Sequence, residues 1–275
     1  MVERAVTLGV AMRLPPAITS RTNARVKALR ASFSGKASRP GELVGIEGEN
    51  LIGEALRSGL GFETVFVREG SEAVLQQLAS LAAEECVVLS RDVFASAVDT
   101  ASPQGIAAMV VIPAEKPLVS LQDAGPVLVL EALQDPGNVG TLLRSAEAFG
   151  VPFVLMTQDC VNPWNPKVVR ASAGSVFRIP VLRSSLAGVR ESLPVGECTI
   201  YAAVAPHAGA RSLLDTVFAG SSAVMIGNEG AGLSAEALAI ADVLVTTPCA
   251  VESLNAAVAG STLLYEAMRQ REGAR

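Results

Sequence analysis

Gln134-Asp135-Pro136-Gly137-Asn138-Val139-Gly140-Thr141-Leu142-Leu143-Arg144 comes shortly after the apolar run Val127-Leu128-Val129-Leu130. Four aliphatic residues ended by a Pro-Gly pair read as a buried strand and a tight turn, and the residues after the turn read as a helix. The pattern places an arginine in the first turn of that helix. A guanidinium held at the mouth of a strand-to-helix turn suits an anion, and a phosphodiester is the commonest one.

Outward from this stretch the second half of the chain keeps alternating. Strands are expected at Val127–Leu130, Val151–Met156, Ile200–Ala203, Ala223–Ile226 and Val243–Val245. Helices are expected at Val139–Phe149, Pro166–Ala171, Ala235–Ala239 and Leu254–Arg269. Strands separated by helical stretches imply an α/β fold with a mainly parallel sheet and helices on both faces. The first half is a smaller α/β module. Its strands are expected at Leu43–Ile46, Thr64–Val67, Val87–Leu89 and Gly105–Ile112, with helices from Glu47-Gly48 to about Arg57, over Ala73–Ala83 and over Val93–Ala97. Ahead of them, Thr19 to Arg30 reads as a short basic helix with a cap-type start. Pro113-Ala114-Glu115-Lys116-Pro117 breaks the composition. The expected organisation is an N-terminal arm (1–15), a first domain (16–113), a linker (114–120) and a second domain (121–273).

Half of the 275 residues are apolar and only 4% are aromatic, the profile of a soluble α/β protein with covered strands. No apolar run reaches the roughly 18–20 residues of a membrane span. Val6–Met12 lacks the flanks of a signal peptide. Cys86, Cys160, Cys198 and Cys249 stand apart with no CxxC pairing, so reduced thiols in a cytoplasmic protein are expected and a metal site is not. The net charge of −5 is unevenly spread. Residues 1–40 hold eight Lys/Arg and one acid, a net +7, and the other 235 residues a net −12. A basic arm on an acidic body fits nucleic acid, and it equally fits a solvated N-terminus.

Two further segments are rich in Gly, Asn and Ser. In Val224-Met225-Ile226-Gly227-Asn228-Glu229-Gly230-Ala231-Gly232-Leu233-Ser234, a strand runs into glycines that let backbone approach a ligand closely. The order Gly-x-x-Gly-x-Gly is neither a dinucleotide fingerprint nor a P-loop. In Thr246-Thr247-Pro248-Cys249-Ala250-Val251-Glu252-Ser253-Leu254-Asn255-Ala256-Ala257, a strand end and a proline turn lead to a helix capped near Glu252 or Ser253. Taken alone, the first is a loop and the second a helix cap.

Taken in order and spacing, Asp-Pro-Gly-Asn-Val-Gly-x-x-x-Arg, Gly-Asn-Glu-Gly-x-Gly-Leu-Ser and Glu-Ser-Leu-Asn closely resemble the three motifs of the SpoU (TrmH-type) RNA 2′-O-ribose methyltransferases of the SPOUT superfamily. The likeness covers about 121–273. Residues 16–112, with Ile18-Thr19-Ser20 and Gly45-Ile46-Glu47-Gly48, resemble the substrate-binding domain often fused ahead of that catalytic domain, a module similar to a small ribosomal RNA-binding protein fold. The resemblance implies a trefoil knot at the end of the catalytic sheet, S-adenosylmethionine held in the knotted loops, and a homodimer. By motif, Met225, Ile226, Gly227, Thr247 and Leu254 are expected at the cofactor, and Asn138, Arg144, Glu229, Ser253 and Asn255 in catalysis. Arg21, Arg25, Lys27 and Arg30, with Arg144, are expected to contact RNA.

Two departures stand out. The stretch between Pro248 and Ser253 is short, with Thr247 where an apolar residue is common, and Ala257 stands where serine is frequent. The implied reaction leaves two roles for Arg144. It is a bidentate clamp on the target phosphate, or a proton acceptor from the 2′-hydroxyl, which requires a strongly shifted guanidinium. His207 lies in an expected loop, so a histidine base has no good candidate. The implied substrate is structured ribosomal RNA. The rivals are a transfer-RNA ribose methyltransferase, a non-catalytic RNA-binding or ribosome-assembly protein, and a knotted base methyltransferase. A dinucleotide oxidoreductase would need a glycine-rich turn that no strand here offers.

Overall fold

In the computed structural model the chain folds as two α/β units, Met1–Ala114 with Trp164–Phe177, and Glu115–Pro163 with Arg178–Arg275. The structure describes residues 6–7, 14–77, 82–83, 85–114, 125–193, 197–207, 209–218 and 220–273. Most of the expected arm (1–15) and of the linker (114–120) lies outside the described residues.

The first unit runs β1 (Val6–Thr7), α1 (Ala24–Ser32), β2 (Leu43–Glu47), α2 (Glu49–Arg57), β3 (Phe62–Arg68), α3 (Val74–Gln77), β4 (Ala82–Ala83), β5 (Glu85–Leu89), α4 (Arg91–Ala97) and β6 (Ile106–Val111). The order β2-β6-β3-β5 makes a four-stranded sheet, with β6 antiparallel to both neighbours and β3 parallel to β5. Val26, Leu29, Phe66, Leu89 and Phe94 form its core. α1 starts later than expected. The Ser20 and Thr22 hydroxyls bond each other at 2.8 Å, and Asn23 caps the helix by accepting from the Arg25 N–H at 2.9 Å. The helix expected over Ala73–Ala83 is a single turn, α3. At its far end Ala82–Ala83 pair with Val6–Thr7, strand pairing overriding the helix preference of alanine.

The chain continues through β7 (Val127–Leu130), α5 (Pro136–Ala148), β8 (Val154–Met156), α6 (Pro166–Ala171), β9 (Val181–Arg183), α7 (Leu186–Ser192), β10 (Thr199–Ala203), β11 (Arg211–Ser212), β12 (Ser222–Ile226), α8 (Ala235–Ile240), β13 (Val243–Thr246) and α9 (Ala256–Gly273). The second unit's sheet has the order β11-β13-β10-β12-β7-β8-β9, and all its pairs are parallel. Its central strand β12 and the neighbouring β7 are buried along their whole length, as expected where helices cover both faces. Val127, Val129, Phe153, Leu155, Ile200 and Met225 share one core. α6 packs with the first unit, a placement its sequence position hides.

Two helix starts in the second unit differ from expectation, and both matter for the site. Asp135 caps α5 by accepting from the Asn138 N–H at 2.8 Å, and Pro136 presets the first helical φ. The helix therefore begins in the turn itself, and Arg144 sits in its third turn rather than its first. α9 begins at Ala256. Asn255 is its cap, accepting from the N–H groups of Ala257 at 2.9 Å and Val258 at 3.2 Å, so Ser253 lies outside the helix.

Candidate active site

The C-terminal ends of β10, β12 and β13 open onto a cavity of about 330 Å³. This is where parallel sheets place ligands, because the loops leaving adjacent strands diverge there. The stretches 203–206, 226–232 and 245–256 form most of its wall. Gly227 is required by its surroundings. A Cβ there would lie 2.4 Å from both the Gly232 carbonyl carbon and the Leu233 nitrogen, which is backbone and cannot yield. The loop closes on itself through the Asn228–Gly232 pair, N–H to O at 3.0 and 2.9 Å.

Two features define the cavity's chemistry. The Oγ1 atoms of Thr246 and Thr247 are buried and have no hydrogen-bond partner among the described residues. A buried hydroxyl left unmet is costly, so such atoms mark places where a ligand completes the bonding. Among the described residues, the only carboxylates in the wall are Glu229 and Glu252, and it holds no Lys or Arg. That electrostatic cast suits a cationic ligand and opposes a polyphosphate.

At the cavity mouth three loops are joined through side chains. Asn255 Nδ2 donates to Asn138 Oδ1 at 2.9 Å, and Asn138 Nδ2 donates to Glu229 Oε1 at 3.0 Å. The Asp135 N–H reaches the same oxygen at 3.3 Å. Desolvation works against the charge on Glu229. It is outweighed by the Asn138 amide and the N–H groups of Glu229, Asp135 and Gln134, which hold the carboxyl below the ordinary carboxylate range. Glu229 is therefore an anion throughout neutral and mildly acidic pH.

Ile226, Gly227, Thr247, Leu254 and Ser253 line the cavity, and Glu229 does as well. Met225 points the other way, into the sheet core, as alternation along β12 requires. Asn138 and Asn255 meet at the mouth. Arg144 is exposed on α5 and makes no hydrogen bond or ion pair with any described residue. On α1, Val26 and Leu29 face inward and the basic residues outward. Arg25 is ion-paired with Glu85 and Arg30 donates to the Ser96 carbonyl at 3.1 Å, so Lys27 on the helix and Arg21 in the turn before it carry the uncommitted charge.

Sequence reading missed Asn228. Its Nδ2 donates to the Ala132 carbonyl at 2.9 Å, and its Oδ1 accepts from Gly230 and Ala231 at 2.9 and 3.0 Å. It braces the glycine loop against the loop after β7, where Ala132 has a left-handed φ of 52°. Also missed is Glu131, a buried carboxylate that accepts the Ser234 N–H at 2.9 Å and so ties β7 to the cap of α8. A polar residue directly after a fully apolar strand was the available signal for Glu131. The Gly-Asn-Glu order was the signal for Asn228.

Residues 125–265 match the model of the SpoU rRNA methylase family, and residues 23–108 match an MRM3-like substrate-binding domain. The chain belongs to the SpoU rRNA methylase family. It is 32% identical over 250 residues to the 23S rRNA (guanosine(2553)-2′-O)-methyltransferase RlmP of Bacillus subtilis, spanning 90% of this chain and 97% of that protein. To the 23S rRNA (uridine(2479)-2′-O)-methyltransferase of Streptomyces viridochromogenes it is 30% identical over 267 residues, 92% of each chain. Among solved structures, the SpoU methyltransferase AviRb from S. viridochromogenes in complex with AdoMet superposes with a TM-score of 0.79 at 26% identity, covering 92% of this chain and all of that one. The matched span 125–265 holds all three loops that the Asn255–Asn138–Glu229 bonds tie together.

Proposed function

We propose that this protein is a methyltransferase that uses S-adenosylmethionine to methylate a ribose 2′-hydroxyl in ribosomal RNA. The observation that carries the reading is the cavity with two unmet threonine hydroxyls and an acidic wall, opening beside the three-motif relay. S-adenosylmethionine supplies an activated methyl group on a cationic sulfur, and Gly227, Ile226, Thr247 and Leu254 would hold it. The remaining work is to align the 2′-oxygen and accept its proton. Arg144 presents an exposed guanidinium, a planar fork of donors with no acceptor, which makes it a clamp for the phosphate beside the target ribose. Asn138, fixed between Glu229 and Asn255, orients the ribose edge of the site, and Ser253 lies on the cavity wall within reach of the same ligand. The test is direct. Purified protein with labelled S-adenosylmethionine and ribosomal RNA should yield a 2′-O-methylated nucleoside on digestion; label on a base, or none, overturns the proposal.

The finer architecture belongs to the same proposal. We read the chain from β12 to α9 as the superfamily's trefoil knot, a reading supported by the way α9 packs on α5, well over a hundred residues earlier, through the Ser145–Ser261 hydroxyl bond at 2.6 Å. We read the protein as a homodimer. Val258 and Tyr265 are 52% and 49% exposed and, seven residues apart, lie on one face of α9, with Arg144 uncommitted on α5. The cysteines of the described chain are all free thiols, which fits a reducing cytoplasm. The first unit is read as the RNA-binding domain. Reversing the uncommitted charges on α1 and in the turn before it, as Lys27→Glu with Arg21→Glu, is expected to weaken RNA binding and lower the salt slope by about 2. Cofactor affinity should stay unchanged; an unaltered salt slope would remove α1 from the RNA surface.

A further inference from the structure

The motif Gly45-Ile46-Glu47-Gly48 is not used by the methyl-transfer site, yet the structure builds a second cavity around it. All of its lining belongs to the first unit: Glu47, Gly48, Asn50, Leu51, Glu54, Gln104, Arg170 and Ala173 enclose about 330 Å³. The cavity's shape is fixed by buried bonds. Glu47 is buried at the end of β2, where it accepts from the Thr100 hydroxyl and from the Gln104 N–H at 2.8 Å, which anchors the loop between α4 and β6. Gly48 has a φ of 96°, and a Cβ there would lie 2.5 Å from Gln104 Oε1. Only glycine lets the Gln104 amide lie across the start of α2.

The groups left over are neutral and planar. The side-chain amides of Asn50 and Gln104 are exposed at the cavity with no hydrogen-bond partner among the described residues. The charged groups are already matched: Arg170 pairs with Asp99 at 3.3 Å and Glu54 with Arg57 at 2.6 Å. Two amides above a leucine side chain, with the carboxylates of Glu47 and Glu54 nearby, disfavour a phosphate. They fit the edge and face of a nucleobase, which offers both donors and acceptors. A base can offer both edge and face to such a pocket only from an unpaired position, because in a duplex pairing occupies its Watson–Crick edge and stacking covers its face.

We infer that this cavity takes one unpaired nucleobase of the substrate RNA, read by the amides of Asn50 and Gln104. The inference rests on RNA being the substrate and adds a recognition subsite in the first unit. It is separate from α1, whose basic residues meet phosphates without regard to sequence.

The test uses the full-length protein and two RNA probes at matched salt: a hairpin with an unpaired loop, and a fully paired duplex of the same length. The wild type should bind the hairpin about tenfold more tightly than the duplex. Asn50→Ala with Gln104→Ala should bring the two affinities within about twofold by weakening the hairpin alone, leaving duplex and S-adenosylmethionine affinities as in the wild type. Gln104→Glu, which keeps the side chain's size and replaces its donor with an acceptor, should change the order of preference among hairpins with A, C, G or U loops. A wild type without hairpin preference, an Asn50→Ala/Gln104→Ala protein that keeps the preference, or equal losses on both probes would each overturn the inference. None of these results bears on methyl transfer, which is scored separately on ribosomal RNA.

Discussion

Arg144→Ala is expected to reduce methyl transfer by at least about a thousandfold, or about 4 kcal/mol of barrier, while S-adenosylmethionine binds as in the wild type. The split comes from position. Arg144 lies in the third turn of α5, is exposed, and is absent from the cavity wall. No described residue of the second unit bonds to its guanidinium, so the fold has no reason to respond. A clamp that fixes a phosphate next to the reacting hydroxyl acts through alignment, and lost alignment appears in kcat. Arg144→Lys keeps the charge but loses the bidentate fork, so it should recover only part of the rate. Calorimetry is the decisive measurement. If cofactor affinity falls together with the rate, Arg144 belongs to the donor site and the clamp role is wrong.

Gly227→Ala is expected to produce the opposite pattern. The new methyl would sit 2.4 Å from backbone atoms of Gly232 and Leu233, so the loop 228–232 must open. Opening it breaks the Asn228–Gly232 pair and swings Glu229 away from Asn138. Cofactor affinity should fall by about a hundredfold, about 2.7 kcal/mol, with methyl transfer falling at least as far. The sheet itself should survive, because β12 up to Ile226 is buried and paired on both sides. Titration calorimetry and a thermal melt on the same preparation separate the two effects. Unchanged affinity would mean that the glycine loop does not touch the donor.

Much of this architecture is legible in the amino-acid sequence. β7 falls on Val127–Leu130 and α6 on Pro166–Ala171 as the punctuation by proline and glycine indicates, and the run of covered strands announces a parallel sheet. The motif residues also stand out. Their partners do not. Asn138 meets Glu229 across 91 residues and Asn255 across 117, and no local pattern encodes which amide faces which. The start of α5 is shifted because a cap and a proline together draw the helix back into the turn. β9, α7 and β11 escape notice because elements this short show no clear period. The unmet hydroxyls of Thr246 and Thr247 are a fact of packing: in the sequence they are two threonines at a strand end.

The stretch Trp164–Phe177 interrupts what the linear order makes a single catalytic segment, since it folds with the amino-terminal unit. A chimera built by a single cut near residue 114 would therefore strand Val168, Val169 and Phe177 without the neighbours that bury them. Transplanting target preference from one relative to another calls for two splices: the leading module, and the short insert that travels with it.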